Sequence, residues 1–180
     1  MTRKHLLAIS ALAAGSIVAP IAADHAGAKG TAAAGPLVKA GGTEVFRRNQ
    51  FLEEKYRFSP GHLTVASGTT VTWKNTLKDE PHTITLSTKK GLPKSAEEAD
   101  CGNVCIVAAG HLKDPKNPDA GIKAKVLNKG PAGLDEVGDS LALLPKKSMS
   151  ARISAPAGTT LYYACAVHPW MQGEITVTAG

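Results

Sequence analysis

The sequence predicts an all-β antiparallel sandwich that carries a long, partly helical insertion. Short apolar segments alternate with polar residues at a period of two, turn residues separate them closely, and between residues 87 and 146 the alternation fades.

In chain order, Arg3, Lys4 and His5 precede an uncharged apolar run from Leu6 through Val18, which Pro20 and Asp24 close. This is the pattern of a secretory leader, and it is shorter than the roughly 20 apolar residues a membrane span needs. Ala26-Gly27-Ala28 offers a good cleavage site and Ile21-Ala22-Ala23 a poorer one, so residues 1–28 are assigned to the leader and the product is expected outside the cytoplasm, periplasmic or extracellular. Residues 29–44, rich in Ala and Gly, read as a flexible tether. The domain is then 45–180, with its insertion at about 87–146.

Inside the domain, Leu63 and Val65 share one strand face, Ser67-Gly68 turns the chain, and Val71 and Trp73 repeat the alternation. In His82-Thr83-Ile84-Thr85-Leu86 the same period sets His82 on the side of Ile84 and Leu86, towards the core. The insertion follows, with Ser95-Ala96-Glu97-Glu98 reading as a helix start and residues 113–117 as loop. Met149, Ala151 and Ile153 form the next inward row, Pro156-Ala157-Gly158 turns, and Leu161, Tyr163 and Cys165 form another, so Cys165 also points inward. Ile175 and Val177 alternate with threonines in a last strand.

The whole chain has a formal charge of +6. Without residues 1–28 it keeps 19 basic and 14 acidic side chains, a net +5 that favours anionic partners or surfaces. Acids interleave with the bases, as in Glu53-Glu54-Lys55 and Lys78-Asp79-Glu80, and no dense basic tract carries stacked aromatics, so nucleic acid is a poor reading. No later run is apolar enough to span a bilayer, and no stable membrane insertion is expected once the leader is cleaved.

Three cysteines in an exported chain leave one thiol over. Cys101 and Cys105 lie four apart in one polar segment, whereas Cys165 is sixty residues further on in an apolar strand. The economical arrangement is a Cys101–Cys105 bridge with Cys165 held as a thiolate by a metal, because an unprotected thiol outside the cell is open to oxidation.

The segment from Tyr162 to Gly173 places a thiolate, an imidazole and a thioether at the spacing Cys165-x2-His168-x2-Met171. Soft sulfur with imidazole selects copper, and two histidines, one cysteine and a weak axial methionine form the ligand set of an electron-transfer copper. The second histidine must come from elsewhere in the core, and His82 supplies it. Catalytic multicopper centres need His-x-His pairs and a cysteine flanked by histidine; here Ala164 and Ala166 flank Cys165 and no His-x-His occurs. A binuclear centre would need two cysteines in the ligand loop; Cys101-x3-Cys105 begins that way, but His111 follows at the wrong spacing and Asp114 stands where methionine should be. His111, His62 and His25 read as solvated side chains.

Pro81-His82 after Val71-Thr72-Trp73, together with the Cys165 loop, resembles the cupredoxin family of the plastocyanin/azurin group, and the short loop is similar to that of the amicyanins. The resemblance covers roughly residues 50–88 and 147–180. It implies a Greek-key β-sandwich with one type 1 (blue) copper ion, which carries single electrons between redox protein partners by transient docking and catalyses no reaction. It also implies His82, Cys165 and His168 as strong ligands and Met171 as the axial one; a monomer is expected. Two positions depart from the family: Thr83 replaces the asparagine that often follows the first ligand, and Ala166 replaces the usual Ser or Thr. The insertion lies outside the resemblance.

Two other functions fit the same residues: buffering or delivery of copper without redox cycling, and a binding role for the insertion in which copper only stabilises the fold. Pro169 and Trp170 read equally well as an apolar docking patch and as a packed loop tip.

Overall fold

Strand formation follows the period-two pattern. In the computed structural model, which describes residues 35–180 apart from 96–97, 99–101, 115 and 129–131, strand β6 (Thr70–Asn75) buries Val71, Trp73 and Asn75 and turns the residues between them outward. The same rule buries Gly173, Ile175 and Val177 of β12 (Gln172–Thr178). Two sheets result. One has β10 (Ser148–Arg152), β6, β1 (Leu37–Gly41) and β4 (Arg57–Ser59) in that order. The other runs β5 (His62–Ala66), β12, β11 (Thr160–Ala164), β7 (His82–Ser87), β9 (Ser140–Leu143) and β8 (Lys125–Val126). A separate hairpin pairs β2 (Glu44–Arg47) with β3 (Phe51–Glu54).

The sheets pack face to face. Val38, Trp73 and Ala151 of the first meet Ile84, Leu141, Tyr163 and Ile175 of the second in one buried cluster. The Trp73 and Tyr163 rings stand edge to face with centroids 6.2 Å apart, a geometry aromatic pairs favour. The architecture is therefore an all-β sandwich. It is not purely antiparallel: β1 runs parallel to β6, and β5 parallel to β12.

Three expectations need correction. Residues Leu37–Gly41, read as the end of a tether, form a strand between β6 and β4 with Val38 and Ala40 fully buried. Gly35 and Gly41, which suggested a linker, are packing requirements, since a side chain at Gly35 would strike the Thr70 carbonyl and one at Gly41 the Thr76 hydroxyl. The region 87–146, read as a partly helical insertion, does not lie wholly outside the sandwich: its second half returns β8 and β9 to the sheet, and β9 pairs directly with β7. Among the described residues its single α-helix is α1 (Gly102–Ala109), which begins beyond the expected start at 95–98, where Ala96 and Glu97 lie outside the described residues.

Strand β7 is buried on both faces. Ile84 and Leu86 enter the sandwich, while Thr83 and Thr85 face the layer formed by α1 and the segment after it. This second layer positions the site.

Candidate metal centre

The pairing of β7 with β11 sets Ala164 opposite Thr85 and so brings the end of one strand beside the start of the other. His82 opens β7, and Cys165 follows β11. The loop from Cys165 to Met171 is closed at its neck: the Cys165 N–H donates to the Met171 carbonyl at 3.0 Å, and the Met171 N–H to the His168 carbonyl at 2.8 Å. Gln172 pins its far side by donating to the Pro93 carbonyl at 2.7 Å. Gly173 is required at the loop's exit, because it pairs with Tyr163 and a Cβ there would fall inside the tyrosine ring.

Three donor atoms converge in this pocket. His82 Nδ1 and His168 Nδ1 are 3.1 Å apart, and Cys165 Sγ lies 3.7 Å from the first and 3.8 Å from the second. A circle through three such atoms has a radius of about 2.1 Å, close to the bond lengths of about 2.0–2.1 Å to imidazole and about 2.3 Å to thiolate in zinc sites. The residues therefore fit one metal ion. His82, Cys165 and His168 are all buried, and Met171 is wholly buried in the same cluster as Cys165.

The surroundings set the charge state. Burial, and then the neighbouring His168, push His82 down to about 4. Burial also holds His168 below the usual histidine range, against the pull of Glu54 and Glu80. The Cys165 thiol is raised by burial, with the N–H groups of Thr83, His168 and Val167 opposing the rise. Without an ion the pocket thus holds neutral imidazoles and a thiol, whereas a bound cation deprotonates its thiol ligand outright. His82 Nε2 is buried and has no hydrogen-bond partner among the described residues.

Thr83 joins the two halves of the site. Its N–H donates to Cys165 Sγ at 3.3 Å, and its hydroxyl accepts the Ala166 N–H at 2.8 Å. A side chain thereby ties the strand that His82 opens to the Cys165 loop. Ala166 and Ala164 pack in one buried cluster with Val104 of α1 and with Leu92.

His168 lies beneath a cover. Tyr56 stands edge-on to it at 5.0 Å, and Tyr56 Oη donates to Glu44 at 2.7 Å. Glu54 and Glu80 carboxylates each lie 3.7 Å from His168 Nε2. Trp170 is 47 % exposed, with its ring centroid 5.4 Å from that of His168, while Pro169 is buried. Sequence reading missed Glu54 and Tyr56, whose approach depends on the β2–β3 hairpin; Glu80, two residues before His82, was within reach of it.

His62 is exposed and bonds Thr176, and His25 lies outside the described residues. His111, expected to be solvated, is instead 4 % exposed and bonded on both ring nitrogens. Cys105 is disulfide-bonded and Cys165 is free; Cys101, its expected partner, lies outside the described residues.

No family model matches the chain, and no curated protein does. Solved structures similar to it include a purple cupredoxin of Nitrosopumilus maritimus, at 17 % identity over 79 % of this chain and 99 % of that one, with a TM-score of 0.41. Auracyanin A of Chloroflexus aurantiacus, described as a "blue" copper protein, is 24 % identical over 79 % and 99 % of the two chains, with a TM-score of 0.44. Amicyanin of Paracoccus versutus is 16 % identical over 81 % and 82 %, with a TM-score of 0.39. The sheet order and donor geometry stand independently of these likenesses. The chain is an all-β sandwich with a His-Cys-His cluster that can hold one metal ion, and the solved structures it resembles are cupredoxins.

Proposed function

We propose that His82, Cys165 and His168 hold one copper ion as a type 1 (blue) centre, with Met171 as its weak axial ligand, and that the protein carries single electrons between redox partners outside the cytoplasm. The observation that carries this reading is the buried triangle of two Nδ1 atoms and one Sγ, all within 4.8 Å of one another. A thiolate with two imidazoles and a thioether selects copper over harder ions. When bound, copper supplies one-electron exchange between its two oxidation states.

The protein's part is to hold the donors still. Three of them sit on one loop closed by main-chain hydrogen bonds, and the fourth opens a strand buried on both faces. Such a frame limits rearrangement on gain or loss of an electron. Burial of the three donors weighs against a delivery role, which needs ligands that another protein can reach. Trp170 gives the electron a route out past His168, and Val167 and Leu52 extend the exposed apolar surface on which a partner docks.

We assign the disulfide of Cys105 to Cys101. A disulfide accords with an oxidising compartment, as does the assignment of residues 1–28 to a leader. Among the described residues no helix is long and apolar enough to cross a membrane. The mature protein is taken as a monomer.

The test is to add Cu(II) to the metal-free protein, record the visible spectrum, and then reduce and reoxidise it. An intense thiolate-to-copper band that disappears and returns, and that is absent from Cys165→Ser, is the expected result. A colourless product, or a band that survives Cys165→Ser, overturns the reading.

A further inference from the structure

A line of buried polar side chains runs from the segment after α1 to the cysteine loop. His111 Nδ1 lies 2.7 Å from the Lys123 carbonyl, and His111 Nε2 lies 2.8 Å from Ser140 Oγ. Ser140 Oγ is 2.7 Å from Thr85 Oγ1, Thr85 Oγ1 is 2.9 Å from Thr83 Oγ1, and Thr83 Oγ1 receives the Ala166 N–H at 2.8 Å. All four side chains are buried, Ser140 and Thr85 completely.

The two ends fix the direction of every bond between them. A carbonyl can only accept, so the ring proton of His111 is on Nδ1; in the neutral ring Nε2 then accepts, and the Ser140 hydroxyl must donate to it. Burial favours that neutral ring, with the Lys123 charge acting in the same sense. At the other end an amide N–H can only donate. Each hydroxyl has one proton to give, so Thr83 gives its proton to Thr85, Thr85 to Ser140, and Ser140 to His111. Every member is satisfied, and reversing one bond leaves two buried hydroxyl oxygens facing each other with no proton between them.

We propose that His111 is a positioning residue for the cysteine loop, acting through Ser140, Thr85 and Thr83 on the Ala166 N–H beside Cys165. His111 thereby supplies the acceptor that orients a row of hydroxyls running from Ser140 of β9 to Thr85 and Thr83 of β7. As a statement about a copper centre the inference rests on the function proposed above, but the relay belongs to the protein and is readable without metal.

The experiment compares wild type, His111→Ala, Thr85→Val and the double variant in the full chain. In the metal-free protein, amide hydrogen exchange at Ala166 is followed by NMR. Each single variant is expected to speed that exchange by about 2- to 10-fold, the weight of one intramolecular hydrogen bond. The double variant should be no faster than the faster single one, because both break the same chain. After Cu(II) loading, both singles should shift the thiolate band in the same direction. Thr85→Val keeps the side chain's shape and decides the matter if His111→Ala does not fold. Unchanged Ala166 exchange in Thr85→Val, or additive effects in the double variant, overturns the relay. A wild-type protein without the band overturns the proposed copper centre and leaves the exchange result standing.

Discussion

The main-chain N–H of Thr83 donates to the sulfur of Cys165 across 3.3 Å, so the residue after one candidate ligand holds another in place. Strand pairing between β7 and β11 makes that contact, and the Thr83 hydroxyl reinforces it through Ala166.

Thr83→Val keeps the N–H to sulfur bond and removes the hydroxyl that accepts from Ala166, leaving a buried N–H without a partner. The thiolate band should remain while Cu(II) affinity falls by about 10- to 100-fold, the usual effect of losing a group that orients a ligand. Competition with a calibrated chelator measures it, and an unchanged affinity would count against this tie.

Glu54 and Glu80 place two carboxylates beside the outer nitrogen of His168. Their negative charge favours the more positive oxidation state of a bound ion. Glu54→Gln and Glu80→Gln should each raise the reduction potential, on the order of tens of millivolts, with a smaller effect at high salt. Voltammetry at two ionic strengths gives both the sign and the screening.

Acid should destabilise the metal-free protein through its buried histidines. His82 is pushed down to about 4, and His168 and His111 also lie below the usual 6.5. Above pH 6.5 both folded and unfolded chains hold these rings neutral, so they add no pH dependence. Below it the unfolded chain binds protons that the folded one refuses, and stability falls with pH towards about 4, where His82 itself protonates. Urea midpoints at several pH values from 7.5 to 4 should decline through that window. A flat profile between pH 6.5 and 5 would show that the rings are not held neutral.

Gly173→Ala sets a methyl group against the Tyr163 ring, which is fully buried between Trp73 and Phe58. A loss of about 1–3 kcal/mol is expected in denaturant unfolding, as for other overpacked cores. Tyr163→Leu in the same background should recover part of it.

Five strands, β5, β6, β10, β11 and β12, were legible because each shows one face to the core, which writes alternation into the sequence; β7 is buried on both faces but stayed legible because threonines alternate with its apolar residues. Strand β9 was not. Ser140, Leu141, Ala142 and Leu143 are all buried, and a strand covered on both faces loses its period. Strand β1 was hidden by composition, since glycine forced by close backbone neighbours looks the same as glycine in a linker. At the metal centre, the spacing of Cys165, His168 and Met171 and the inward side of His82 were readable because they are local. His111, Glu54 and Tyr56 were not, because His111 is held by Lys123 and Ser140, 12 and 29 residues away, and the β2–β3 hairpin that brings Glu54 and Tyr56 to His168 lies far from it along the chain.

The seat of α1 on Ala164 and Ala166 makes the ligand loop specific to its host. A transplanted loop with a much bulkier residue after the cysteine would press on Leu92 and Val104, the neighbours of Ala166 in that buried cluster. The loop and the segment that covers it therefore have to change together, and a graft of either one alone should yield a protein whose helix and metal pocket compete for the same space.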